Sequence, residues 1–462
     1  MNRGLVIKLL ALVSMALILI IALGRIEWKV QERSNTRDEA VADITRQYAE
    51  SQQVAGPLLW ISCTETRSVA KFDNSHQPRV EEETADCSRI VRPAQLTGKG
   101  YLDVSERYRG IYKARLYAAS LSIIARFNPV ELSTRPNQTI NGAQWIFAVS
   151  DPRGLKQITV KDGGGKLLKA LPGTAKSSLP KGFHVPADID SLGHEQALTA
   201  DIKLAGSGRF NWVPVAEDND FSLNSAWPHP SFGGEYLPDK RDIGDKGFDA
   251  RWRINAFATG GDSVLQKTVA NPPAAGREAY EAAMPATAST HFTHGFGVSL
   301  IDPVDAYVQS DRAIRYGFLF ILLTLGGFFL FELLKQKTLH PLQYLLIGFA
   351  VVVFFLLLLA LSEHIGFALA YASAALACTA LIATYGRTLL GNWKATAVLG
   401  LGYGALFGGL YQLLASEDHA LLMGAWLVFG VLAATMYLTR KLDWQGIGRI
   451  PPTSPVRGFQ SE

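Results

Sequence analysis

Hydrophobic and polar positions are arranged on two different scales along this chain. Near the start and through the last third, apolar residues continue almost unbroken: Leu5 to Leu23, Tyr316 to Leu334, Leu342 to Leu361, Ile365 to Tyr385, Ala395 to Leu414 and Ala420 to Leu438. A hydrocarbon core about 30 Å thick is crossed by about 20 apolar helical residues, and every one of these runs comes close to that length. Between the first run and the second lie roughly 280 residues of more polar character, enough for one large or two smaller globular units. The pattern predicts an α-helical membrane protein with six spans, one plus five, and a large domain outside the hydrocarbon.

Within that domain the period falls to two. Alternation recurs at Tyr112 to Phe127, Gln144 to Ser150, Gln157 to Lys161, Ala197 to Leu204, Phe210 to Val215 and Phe248 to Phe257, in runs rich in β-branched and aromatic residues. Turn clusters separate them, among them Asp151-Pro152-Arg153-Gly154, Asp162-Gly163-Gly164-Gly165 and Gly206-Ser207-Gly208. Many short strands joined by such turns predict a mostly antiparallel β fold, a sandwich or stacked sheets. Helical spacing marks both ends of the domain. Ile26, Val30, Val41, Ile44 and Tyr48 extend the first span as a stalk, and Asp302 to Gly317, opened by Asp302-Pro303, leads into the second. The Gly- and Ala-rich stretch Asn271 to Ser289 reads as a mobile loop. The chain thus divides into an anchor (1–24), an outer, mostly β domain with helical stalks (25–311), a five-helix bundle (312–440) and a tail (441–462).

Charge adds an orientation, because Lys and Arg collect in short cytoplasmic loops. Arg3 and Lys8, Lys335 and Lys337, Arg387 and Lys394, and Arg440, Lys441, Arg449 and Arg457 all fall on one side of a six-span layout. The opposite loops, Ser362-Glu363-His364 and Ala415 to His419, carry acids and no Lys or Arg. Both termini are therefore expected in the cytoplasm and the domain outside it, with Arg25, Lys29, Arg312 and Arg315 as departures from the bias. The first run also resembles a signal peptide ending at Ala22-Leu23-Gly24. It is long for one and lacks an A-x-A-like site, which favours an uncleaved anchor.

Composition excludes some classes. A hydrophobic fraction of 48% averages membrane and polar parts, and a net charge of +4, from 45 basic and 41 acidic residues, is too small to argue for nucleic acid. Of the three cysteines, Cys378 lies in the fourth span and reads as a packing residue. Cys63 and Cys87 lie in the outer domain, where an oxidising compartment would bridge them. Such a bridge closes a loop of about 25 residues, worth roughly 3 kcal/mol. With no C-x-x-C, its expected role is structural.

Candidate chemistry is sparse. Glu363-His364, with His419 as a third partner, could bind a metal or carry a proton, but adjacent helical residues do not share a face unless the helix ends there. Capping or docking is the simpler reading. His291 and His294 have a zinc-compatible spacing only on a helix. Gly400, Gly404 and Gly408 form a small-residue stripe for packing against Ala368, Ala372 and Ala375 of the fourth span, with a transport hinge as the alternative. The spans are almost free of charge, which weakens coupled transport, and Glu332 is expected to pair with Lys335 or reach the headgroups. Trp227-Pro228-His229-Pro230-Ser231-Phe232 makes a stiff knuckle, either a corner between sheets or a ridge where Trp227 and His229 meet a partner. No nucleophile elbow, H-E-x-x-H, Walker loop or dinucleotide fingerprint occurs, so neither catalytic residue, cofactor nor metal is assigned.

The segment Ser225 to Phe232, continuing through Tyr236-Leu237-Pro238 and Lys240-Arg241, resembles the CreD family of bacterial inner-membrane proteins. The likeness recurs in Asp311-Arg312-Ala313, Tyr316-Gly317, Phe331-Glu332, Leu339 to Leu345 and Leu359 to His364, in the family's order. It implies a single first span, a periplasmic domain and a helical bundle. It also implies a part in cell-envelope integrity under stress, including cell-wall damage by β-lactams, with expression under a two-component system. It implies no catalytic residues. The leading expectation is a non-enzymatic protein whose outer β domain binds an envelope component or partner protein while the bundle meets the lipid bilayer. A lipid or small-molecule exporter or flippase is the alternative, and a hydrolase comes third.

Overall fold

The computed structural model describes residues 3–72, 78–131, 137–174, 181–260, 295–300, 306–335, 339–391, 393–415 and 420–440. The stretch Asn271 to Ser289, His291, His294, His419, Asp302-Pro303 and the tail beyond Arg440 lie outside these residues. The chain forms two compact units, Glu39–Pro303 on the one hand and Met1–Asp38 with Val304–Glu462 on the other.

The second of these is helical. Its elements are α1 (Arg3–Tyr48), of which the part up to Asp38 belongs here, α2 (Ala306–Lys335), α3 (Pro341–Ile365), α4 (Phe367–Leu390), α5 (Trp393–Ala415) and α6 (Ala420–Thr439). The first five are long and apolar enough to cross a membrane, and α6 carries a shorter apolar stretch, Leu422–Tyr437. The start of α3 explains the sequence Leu339 to Gln343. Leu342 N donates to His340 Nδ1 at 3.2 Å while His340 N donates to Gln343 Oε1 at 3.0 Å, a reciprocal cap that satisfies donors at the helix start.

Aromatic rings fill the bundle interior. Phe354 and Phe407 lie 4.6 Å apart between ring centres, Phe320 and Phe407 5.4 Å, and Tyr371 donates its hydroxyl to the Phe407 carbonyl at 2.6 Å. Helix α1 joins by one stripe, Met15, Leu19, Leu23, Ile26 and Val30, each buried and spaced by three or four residues. Leu23 occupies a notch at Gly317 of α2, where an added Cβ would stand 2.7 Å from Leu Cδ2. Leu19 fills a tighter notch at Gly348 of α3, where any Cβ would overlap it.

Beyond the end of α1, the described residues of the other unit form strands apart from short helical turns. Among the described residues the strands are β1 (Gln52–Phe72), β2 (Pro78–Val91), β3 (Gln95–Arg109), β4 (Tyr112–Phe127), β5 (Gln138–Val149) and β6 (Leu155–Asp162). There follow β7 (Leu167–Leu168), β8 (Leu171–Pro172), β9 (Gly182–Ala187), β10 (Gln196–Ser207) and β11 (Arg209–Trp212). Last come β12 (Asp218–Ser225), β13 (Pro230–Gly234), β14 (Lys240–Gly244), β15 (Gly247–Asn255) and β16 (Phe296–Leu300). They build two eight-stranded sheets, one ordered β13-β16-β11-β1-β5-β9-β8 with β2 beside β1, the other β14-β15-β12-β3-β4-β10-β6-β7.

The sheets face each other across an aromatic core. Trp212 of β11 stacks on Phe221 of β12 at 5.0 Å, Phe296 of β16 meets Trp252 of β15 at 5.3 Å, and Tyr117 of β4 meets Phe210 at 6.1 Å. The alternation in β4 follows from this: Leu121, Ile123, Ala125 and Phe127 turn inward and Ser120, Ile124 and Arg126 outward. The expectation of mostly antiparallel pairing needs one refinement. Two ladders, β1 with β11 and β3 with β12, are parallel, so the unit is a mixed β fold.

Candidate functional site

The Trp227 knuckle is the crossing from one sheet to the other. β12 ends at Ser225 in the second sheet, and β13 begins at Pro230 in the first. Ser225 Oγ donates to the Leu102 carbonyl at 2.7 Å and accepts the Trp227 amide at 3.1 Å. The Trp227 indole N–H then donates to the His229 carbonyl at 3.0 Å, and the Arg115 guanidinium stands 4.6 Å above the indole ring. Phe232, just beyond, packs on Phe248 and Trp252 at 5.5 and 5.8 Å. Trp227 is thus half-buried, held by Arg115 over its ring and by the His229 carbonyl at its N–H, while the His229 imidazole is exposed at its edge. This arrangement can present an imidazole rigidly to a partner.

Glu363 is brought into a cluster that the sequence did not indicate. Its side chain is only 8% exposed, accepts the Tyr307 hydroxyl at 3.0 Å and lies 3.6 Å from Arg33 Nε. Arg37, one turn further along α1, covers the Tyr307 ring at 5.4 Å. His364 does not share this cluster. α3 continues to Ile365, so the two side chains leave on different faces and His364 is exposed. Joint Glu363–His364 chemistry needed the helix to end before them, and it does not. Among the described residues no group of three His, Cys, Asp or Glu side chains could hold a metal ion.

The glycine stripe also needs correction. Gly404 and Gly408 are exposed, with no described atom within 4 Å of an added Cβ, and Gly400 has only the Ala383 methyl at 3.9 Å. α5 packs through Tyr403, Phe407 and Leu410 instead, and α4 through Ala370, Tyr371 and Ala374 rather than Ala368 and Ala372. Spacing identified a ridge of small residues without telling which way it faces. Cys63 and Cys87 are bonded across the β1–β2 ladder, where they are register partners, and Cys378 is a buried free thiol.

Two polar clusters escaped the sequence reading. In the helical unit Glu332 pairs with Lys8 of α1 and accepts the Tyr344 hydroxyl at 2.7 Å. In the β unit Asp151 is buried where the chain leaves α1. It accepts the Glu50 amide at 3.0 Å and Arg153 Nη2 at 2.7 Å, and Arg153 Nη1 donates to the Arg46 carbonyl at 2.6 Å. Burial alone would raise the Asp151 carboxyl, but the Arg153 guanidinium and the two backbone N–H donors outweigh it and hold the group below the usual carboxylate range. Beside it, Gln52 Nε2 donates to the Asp151 and Ala205 carbonyls, both at 2.9 Å, and buried Tyr117 donates to the Arg209 carbonyl at 2.7 Å. The turn motif Asp151-Pro152-Arg153-Gly154 was the available signal, since Asp opening such a turn accepts from the N–H two residues on.

The family model described as inner membrane protein CreD matches residues 4–445. The inner membrane protein CreD of Escherichia coli (strain K12) is 32% identical over 440 residues, covering 95% of this chain and 93% of that protein.

Proposed function

The chain belongs to the CreD family of inner membrane proteins, and from that premise we propose that it supports the integrity of the cell envelope without catalysing a reaction. In this reading the β unit lies in the periplasm and binds an envelope component or partner protein. The chain crosses the membrane six times, both termini are cytoplasmic, and the working boundaries are 1–24, 25–311, 312–440 and 441–462. One observation supports it: five helices long and apolar enough to cross a membrane accompany a separate unit that forms, among the described residues, two eight-stranded sheets. The packed aromatic interior of the bundle suits anchoring better than passage of a solute, so the exporter reading ranks second.

The experiment combines location and capture. Protease sites inserted at Gly165, in an exposed turn, and beyond Trp444 would be compared in spheroplasts. We expect cleavage at Gly165 only. Cross-linking the intact protein in stressed cells should then capture an envelope component through the β unit. Protection at Gly165 with cleavage beyond Trp444 overturns the reading.

A further inference from the structure

The bridge between Cys63 and Cys87 fastens the root of a ribbon. The two cysteines are register partners in the β1–β2 ladder, which continues past them to Phe72 opposite Pro78. β5 accompanies β1 only as far as Glu65, and the Thr66 amide still reaches the Asn137 carbonyl at 2.8 Å. Beyond it six register pairs, Arg67 to Phe72 with Glu83 to Pro78, have no third strand among the described residues. A two-stranded ribbon is marginally stable in water, so its order depends on the bridge.

The two sulfurs differ in access. Cys63 is 4% exposed and flanked by β5, whereas Cys87 is half-buried on β2, whose far edge pairs with no strand among the described residues. Thiol–disulfide exchange proceeds by a thiolate attacking one sulfur while the other leaves. Approach to Cys87 in line with the bond comes from the open edge, and approach to Cys63 would come across β5. The leaving sulfur is therefore that of Cys63, and a donor already stands beside it. Gln138 Nε2 donates to Cys63 Sγ at 3.1 Å and to Cys87 Sγ at 3.2 Å. Neutral sulfur is a weak acceptor, but a thiolate takes a charge-assisted bond, so the same amide favours the opened state over the closed one. The acid two residues from Cys63, Glu65, is held by Arg67 at 2.9 Å, which limits its repulsion of a thiolate.

We infer that the Cys63–Cys87 bridge is a redox switch for this ribbon, opened by a dithiol reductant. One thiolate of the reductant bonds to Cys87 Sγ, the S–S bond breaks, and Cys63 leaves as a thiolate that accepts from Gln138. The reductant's second thiol then gives its proton to Cys87 and displaces it, so two electrons pass to the bridge and the reductant carries the new disulfide. The probe is dithiothreitol, added without denaturant to the intact protein in detergent, with thiols afterwards alkylated in denaturant and counted by mass. Wild type should rise from one thiol, Cys378, to three while its near-ultraviolet circular dichroism persists. Gln138→Leu and the isosteric Gln138→Glu should each slow opening at least about fivefold. Asn141→Ala, which loses a bond to Thr64 on the same ladder without touching sulfur, should stay within about twofold. Opening should quicken amide exchange over Arg67, Ser68, Glu82 and Glu83 by about tenfold or more and leave β4 unchanged. A bridge that resists dithiothreitol until the fold is lost, or a ribbon that exchanges equally in both states, overturns the switch. Variants at Gln138 that open as fast as wild type overturn the part given to its amide.

Discussion

Replacing Leu19 and Gly348, singly and together, measures whether α1 is a working member of the helical unit. Leu19 is completely buried, and its methyl groups fill the notch at Gly348. In water a buried Leu→Ala change costs about 2–5 kcal/mol, of which part is transfer from solvent and part the cavity left behind. Lipid tails are as apolar as leucine, so the transfer part disappears and packing remains. Leu19→Ala should therefore cost about 2 kcal/mol, the low end of that range. Gly348→Ala forces a methyl into Leu19 and should cost about 1–3 kcal/mol as overpacking. With both changes the new methyl enters the space that the leucine vacated. The pair should be more stable than the sum of the singles by about 1–2 kcal/mol. The assay is the apparent melting temperature of the intact protein in one detergent, each kcal/mol moving it by about 2–4 °C. Additive losses, or two silent single variants, would refute the docking of α1 and reopen its reading as a removable leader.

Four further outcomes follow from the clusters. Asp151→Asn should destabilise the β unit by about 2 kcal/mol at neutral pH. Because the native carboxyl is held below its unfolded value of about 3.9, that contribution is complete above this pH and fades as the pH falls below about 4. A wild-type-to-variant gap in melting temperature that persists unchanged into acid would sink the assignment. Trp227→Ala, which removes a half-buried ring and its contact with Arg115, should cost about 2 kcal/mol. His229→Ala should stay within about 0.5 kcal/mol by the same melting assay, and a larger loss would show that the imidazole is structural. Lys8→Glu and Glu332→Lys should each lower the yield of folded protein by fluorescence-detected size exclusion, while the exchanged pair regains it. No recovery would mean that the two charges do not meet.

What could be read from the sequence was whatever one face of one element dictates. β4 was bounded correctly at Tyr112 and Phe127 because one side of it is core and the other is not. β1 was missed because Leu58, Leu59 and Ile61 are buried on both faces, which erases alternation. Phe248 to Phe257 was read two residues too far, since Asn255 accepts the Ala258 amide at 3.1 Å and turns the chain into one helical turn. The parallel ladders of β1 with β11 and β3 with β12 join segments far apart in the chain, and no local period encodes that choice. The glycine stripe shows the same limit within the helices: its spacing was legible, its direction was not.

The charged residues near the ends of α1 now share one explanation. Lys8 engages Glu332 of α2, which also holds Tyr344 of α3, while about 25 positions later Arg33 engages Glu363 of α3, which also holds Tyr307 of α2. Glu332 and Tyr307 are themselves about 25 positions apart on α2. At 1.5 Å per residue both intervals come to about 38 Å, longer than the hydrocarbon core and shorter than the bilayer with its headgroup layers. The matching lengths fix α1 antiparallel to α2 and stop it sliding, since a shift of one residue would part a buried carboxylate from its cation at each end. The apolar stripe between the clamps cannot supply that register alone, because neighbouring leucines are interchangeable in lipid. Arg33 is thus a packing residue, placed where α1 must be held.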